Sequence, residues 1–116
     1  MKTLLLDDNL MSQTRVEAGL KSAGMQVTTR SKWPDDADFA LVVINLGSRS
    51  LAGLRLLEEA NVRVPGAKIW AFCGHLEVEI RRAALQIGVD KLLTNEGAMS
   101  EIGAAVRAEF GSAARE

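Results

Sequence analysis

A chain of 116 residues is one domain's worth of polypeptide, and 47% hydrophobic with 25% charged residues is close to the globular average. Lys+Arg 14 against Asp+Glu 15 gives a net charge of -1, which offers no global attraction to nucleic acid or anionic lipid and disfavours a DNA-binding domain. The single cysteine allows no intramolecular disulfide, and no apolar run approaches the roughly 18 residues that span a bilayer.

Leu4 to Leu6 opens the chain with a short apolar run closed by Asp7 and Asp8, too short for a signal-peptide core, so a soluble cytoplasmic protein is expected. Leu10, Val16 and Leu20 then follow at helical spacing, ending near Gly24. Met25 to Thr29 contains the β-branched Val27, Thr28 and Thr29 and reads as a weaker strand at a sheet edge. Only about ten residues, Arg30 to Phe39, precede the next apolar run, and a full crossover helix barely fits there. Trp33 in this segment is either a contact residue or a plug for the space a missing helix leaves.

Ala40 to Ile44, Ile69 to Phe72 and Leu92 to Leu93 have the continuous apolar character of parallel strands buried on both faces. Between and after them, helical spacing joins Leu51, Leu54, Leu57 and Ala60, then Ile80, Ala83, Ala84 and Ile87, then Met99, Ile102, Val106 and Phe110. Ser50 and Thr94 or Asn95 are candidate helix caps, Pro65-Gly66 closes the second helix, and Gly88 suits the end of the third. Five strands alternating with four helices predict a single doubly wound α/β domain over residues 1-116, with 111-116 a tail or the start of a linker. Any site then lies beyond the carboxyl ends of the strands, at Asp7, Asp8, Asn45, Cys73 to His75 and Thr94 to Glu96.

These strand ends resemble the receiver domain of bacterial two-component response regulators. Leu4-Leu5-Leu6-Asp7-Asp8-Asn9 is similar to the family's first strand and acidic pair, and Ala40-Leu41-Val42-Val43-Ile44-Asn45 to the strand that ends in the phosphoacceptor aspartate. Gly53 stands eight residues after Asn45, as the family's glycine does after its acceptor. Gly88-Val89-Asp90-Lys91-Leu92-Leu93-Thr94-Asn95 resembles the family's Gly-Ala-Asp-Asp-Tyr-Leu-Thr-Lys. The resemblance implies a CheY-like, flavodoxin-like sheet of five parallel strands in the order 2-1-3-4-5, with the second crossover helix shortened or absent.

The departures bear on function. Asn45 holds the acceptor position, Asn95 the lysine position and Cys73 the switch Ser/Thr position, while Ser48-Arg49 replace the customary Met-Pro. A carboxamide is neutral and poorly nucleophilic, and without the lysine the phosphoryl oxygens lose their point charge. The expectation is a degenerate receiver, or pseudo-receiver, that is no enzyme and acts by binding a signalling protein or an output domain without phosphorylation. The competing expectation is a receiver switched by a divalent metal, by oxidation of Cys73 or by a phosphosite such as Ser48.

Asp7 and Asp8 remain candidate ligands for weakly bound Mg²⁺, and no other cofactor is expected. Equally, Asp8 or Asn9 can cap the first helix while Asp7 serves backbone donors. Cys73-Gly74-His75 is a candidate thiol-imidazole pair, or a buried thiol beside an exposed loop histidine. Glu77, Glu79, Arg81 and Arg82 read as a solvated helix face. By resemblance, the family's docking and dimerisation surface falls at Glu79, Arg82, Lys91, Glu101 and Arg107, which implies a protein partner or a homodimer and neither nucleic-acid nor membrane binding by this domain. A Gly-x-Gly-x-x-Gly turn and a phosphate-binding Gly-Lys-Ser/Thr loop are absent from the sequence, against a nucleotide-binding enzyme.

Overall fold

The structure, a computed structural model, describes residues 1–111; the proposed tail falls outside them except for Gly111. In chain order the elements are β1 (Lys2–Leu6), α1 (Leu10–Ser22), β2 (Gln26–Arg30), β3 (Leu41–Asn45), α2 (Gly53–Arg63), β4 (Lys68–Cys73), α3 (Val78–Ile87), β5 (Lys91–Thr94), α4 (Asn95–Ser100) and α5 (Ile102–Phe110). The strands form one parallel sheet in the order β2-β1-β3-β4-β5, a doubly wound flavodoxin-like fold.

Burial follows from position in that order. Every residue of β3 is buried, because strands flank it on both sides and helices cover both faces. Leu4, Leu6, Val42 and Ile44 turn to the layer of α2 and α3, where they pack with Leu57, Ala60 and Ala84. Leu5, Leu41 and Val43 turn the other way, against Val16 and Leu20 of α1 and Ile102 and Val106 of α5. Trp70 is fully buried in this second layer, as its place in a strand suggests. β5 departs from the expectation of a strand buried on both faces: it stands at the edge that the order 2-1-3-4-5 gives it, and Leu92 and Leu93 are half-buried.

The last helical stretch divides in two. Thr94 Oγ1 accepts a hydrogen bond from Gly97 N at 2.9 Å, starting α4 directly at the end of β5, and Glu101 then breaks the helix at φ -123° and ψ 1°. Ala98, Ile102 and Val106 bury against the same layer across the break, so helical spacing alone did not reveal it. Ser50 caps nothing: Ala52 precedes α2 without a side-chain hydrogen bond, because the Ser50 hydroxyl is used elsewhere. Gly53 has a packing reason. A β-carbon there would lie 2.6 Å from Asn45 O and 2.9 Å from Leu46 Cα, so α2 starts this close to the end of β3 only with glycine.

Residues 31–40 contain no helix. Trp33 fills the space instead: it is 9% exposed, packs in the α2/α3 layer, and its Nε1 donates to Leu56 O at 3.2 Å. Phe39 closes the other end of the segment in the same cluster. Lys2 ties the segment to β1, pairing with Asp36 at 3.0 Å and lying 5.3 Å from the Phe39 ring centre. Gly24 and Gly88 adopt positive φ, 93° and 109°, after α1 and α3.

Candidate functional site

The site lies where β1, β3, β4 and β5 end. A cleft of about 180 Å³ opens there, lined by Asn9, Ser12, Asn45, Gly47, Ser48 and Asn95 among others. Asp7 is fully buried at its base. Its Oδ1 accepts from Asn9 N at 2.9 Å and from Asn45 Nδ2 at 2.9 Å, and its Oδ2 accepts from Ser12 Oγ at 2.5 Å. A buried carboxylate is tolerable only when its charge is met by donors of this kind.

Asn45 completes the arrangement with its other end. Its Oδ1 accepts from Gly47 N at 2.9 Å, so one carboxamide donates to Asp7 and accepts from the loop after β3. An aspartate at this position has no N–H to give and would place a second negative charge against Asp7. The side chain at position 45 therefore matches its neighbours as an amide.

Asp8 is similarly engaged. Ser48 Oγ donates to its Oδ1 and Ser50 Oγ to its Oδ2, each at 2.5 Å. The Ser48 hydrogen bond, then that of Ser50, holds the Asp8 carboxyl below its ordinary pKa. Neither Asp7 nor Asp8 caps α1; Asn9 does, accepting from Met11 N at 3.0 Å and Ser12 N at 3.2 Å.

The receiver resemblance implies a divalent cation between these acids, and the donor set fits one poorly. Each oxygen of both carboxylates already accepts a hydrogen bond, and position 45 presents an N–H toward Asp7 where a cation needs oxygen. Among the described residues, no group of three or more His, Cys, Asp or Glu side chains is arranged to hold a metal ion.

On the β4 side, Glu77 supplies an element that the sequence reading placed on a solvated helix face. Its Oε2 accepts from Gly74 N at 3.0 Å, and a β-carbon at Gly47 would come within 3.1 Å of the same oxygen. The half-buried Glu77 carboxylate thus stands between the loops that follow β3 and β4, with Asn95 Nδ2 on the same side of Gly74. Three carboxylates, those of Asp7, Asp8 and Glu77, surround the strand ends, and Asn95 brings no positive charge to them. An incoming phosphoryl group would meet repulsion there.

The cysteine and histidine are separated. Cys73 is fully buried in the α2/α3 layer, while His75 is exposed beside a hollow with Arg15, Thr94 and Glu96. Burial raises the Cys73 thiol above its ordinary pKa, partly countered by Arg81, so it stays protonated and weakly nucleophilic. Arg81 also leaves the predicted solvated face: its Nη1 donates to Leu93 O at 3.2 Å and approaches Cys73 Sγ at 3.9 Å.

Glu79, Arg82, Lys91, Glu101 and Arg107 are all exposed. Glu79 and Arg82 share α3, and Lys91 starts β5, with its Nζ 5.6 Å from the Trp70 ring centre. Glu101 lies at the α4–α5 junction, whereas Arg107 borders a hollow with Lys21, Ser22 and Gly24 and so faces the end of α1. Hydrophobic residues accompany the first of these charges, since Leu76, Val78 and Leu85 are 81%, 57% and 63% exposed on and before α3.

No family model matches the sequence, and no curated protein matches it. Solved structures do match, and the fold they define is that of CheY-like receiver domains. A response regulator receiver domain protein from Clostridium thermocellum superposes with a TM-score of 0.76 at 18% identity, covering 92% of this chain and 91% of that one. A CheY-like receiver domain protein from Methanospirillum hungatei gives 0.72 at 18% identity, with 94% and 95% covered. The response regulator DrrB of Thermotoga maritima gives 0.76 at 18% identity over 94% of this chain and 52% of that longer one. The chain thus spans nearly all of two of these solved chains and about half of the third.

Proposed function

We propose that this chain is a pseudo-receiver, a protein-interaction module in signal transduction that works without phosphorylation. The observation that carries the reading is the 2.9 Å hydrogen bond from Asn45 Nδ2 to Asp7 Oδ1. The residue at the acceptor position binds the residue at the metal position, so the two groups that phosphotransfer requires are joined to each other. The serines on Asp8 and the Glu77 carboxylate on Gly74 N support the same reading, because they occupy groups that a cation and a phosphoryl oxygen would need. The sheet, by contrast, keeps its receiver order, so what is retained is a shape that partners can recognise.

The partner is another signalling protein or an output domain, and the candidate contact surface combines Glu79, Arg82, Lys91 and Glu101 with the exposed Val78 and Leu85 of α3. Exposed apolar side chains on the same helix as charges of both signs suit a protein partner better than a polyanion. A second copy of the chain is the other candidate for this surface. The role needs no resident cofactor, and a cytoplasmic setting fits it; among the described residues no helix is long and apolar enough to cross a membrane.

Incubation of the whole chain with acetyl phosphate and Mg²⁺, read by intact mass, tests the proposal. The natural chain is expected to keep its mass, while an active receiver run beside it as the control gains a phosphoryl group. Phosphorylation of the natural chain would overturn the reading.

A further inference from the structure

The outer edge of β2 is open, and its charge selects what can close it. The backbone bonds Gln26 N to Met1 O at 2.9 Å and Asp7 N to Arg30 O at 3.0 Å set the phase of the β1–β2 ladder. In a parallel ladder alternate residues bond to one side, so Gln26, Thr28 and Arg30 serve β1, and Val27 and Thr29 direct their N–H and C=O groups outward. Among the described residues no backbone group bonds to that outer side. Among the described residues the outward backbone groups meet one side chain: Arg30 Nη1 donates to Thr29 O at 2.8 Å.

Unpaired edges are commonly blunted by proline, lysine or an inward charge within the strand, because they template pairing with other chains. β2 reads Gln-Val-Thr-Thr-Arg, with no proline and only its last residue charged. Its charges gather at the carboxyl end, where Arg30 and Lys32 are exposed and neither makes an ion pair among the described residues. Of the acids at the other end, Asp36 pairs with Lys2 at 3.0 Å and Asp38 lies 4.0 Å from the same ammonium.

We infer that the β2 edge is a docking site for an extended, acidic segment of a partner protein, which adds to the sheet as a sixth strand with its carboxylates against Arg30 and Lys32. Main-chain pairing with Val27 and Thr29 provides the attachment, and the two cations choose the sequence. Arg30 acts as a latch. A partner carboxylate draws its guanidinium away from Thr29 O, which then accepts the incoming strand's N–H. The inference extends the reading of an interaction module by adding a surface at the opposite edge of the sheet from β5, and rests on it only for the existence of a protein partner.

The test uses the whole chain, ¹⁵N-labelled, titrated with a synthetic peptide of alternating Thr and Val that carries two glutamates at the end facing Arg30 and Lys32. Saturable shifts are expected in the Gln26 to Lys32 amides, with binding weakened roughly tenfold when lysines replace the glutamates or in an Arg30→Glu chain. Thr29→Pro removes an outward N–H without touching the β1 ladder and should weaken binding by a similar factor, whereas Thr29→Val, which loses only the hydroxyl bonded to Glu17, should not. Absence of saturable shifts, shifts centred elsewhere, or indifference to Thr29→Pro would overturn the inference. So would the same amides responding equally to a single-stranded oligonucleotide, or sedimentation showing that the edge is closed by a second copy of the chain. None of these readouts depends on phosphorylation, so failure here leaves the acetyl phosphate result to judge the proposed function separately.

Discussion

The carboxyl ends of β1 and β3 and the outer edge of β2 belong to three consecutive strands of one sheet, and their polar groups are treated in opposite ways. At the strand ends Asp7, Asp8 and Asn45 each have partners within the chain, down to both oxygens of both carboxylates. At the β2 edge Val27 and Thr29 have outward backbone groups met by a single arginine. A group bonded internally has little left to offer a ligand, whereas an unpaired backbone group gains by acquiring one. The difference separates polar groups satisfied within the chain from backbone groups still able to take a partner, on one scaffold.

That contrast depends on the segment linking the two regions, so the largest expected effect comes from Trp33. Trp33→Ala removes the side chain standing in for a crossover helix and its hydrogen bond to Leu56 O, and should cost about 3–5 kcal/mol in urea unfolding. A loss near zero would mean that the segment does not depend on its tryptophan.

Asn45→Asp sharpens the closed side. It replaces a donor to Asp7 with a second carboxylate, so without Mg²⁺ the variant should lose about 1–3 kcal/mol, and added Mg²⁺ should restore part of this by mass action. The natural chain should show no such Mg²⁺ dependence in thermal unfolding.

A smaller effect attaches to Asp8, which is partly exposed. Its folded pKa is lowered, chiefly by Ser48 and then by Ser50, so its contribution is present above the unfolded carboxylate pKa and fades as pH falls through the lower folded value. Ser48→Ala with Ser50→Ala should therefore cost below about 1 kcal/mol at neutral pH and nothing once Asp8 is protonated in both states. A stability difference that stays constant through acid pH would assign the serines another role.

How much of this could be read beforehand follows from where each residue's partners lie. β1, β3 and β4 were legible because strands buried on both faces must be apolar throughout, and their ends then marked Asp7, Asn45 and Cys73 without further information. The missing helix was legible by length alone. The bonds that define the site were not: Asn45 reaches Asp7 across 38 residues and Ser50 reaches Asp8 across 42, and no local pattern encodes either. Ser50 looked like a cap because serine favours helix starts, but the Asp8 carboxylate took its hydroxyl. Glu77 looked like surface charge from its helical neighbours, yet its carboxylate folds back to Gly74 through a three-residue turn. A glutamate three residues after a glycine at a strand end was the available signal.

The most direct measurement is an Mg²⁺ titration of the natural chain followed by the backbone amide resonances of Asp7, Asp8, Gly47 and Gly74. Carboxylates already held by serine, asparagine and backbone donors should leave these resonances unmoved at millimolar Mg²⁺. Saturable shifts confined to these four amides would contradict a closed site and return the chain to the receivers that still bind their metal.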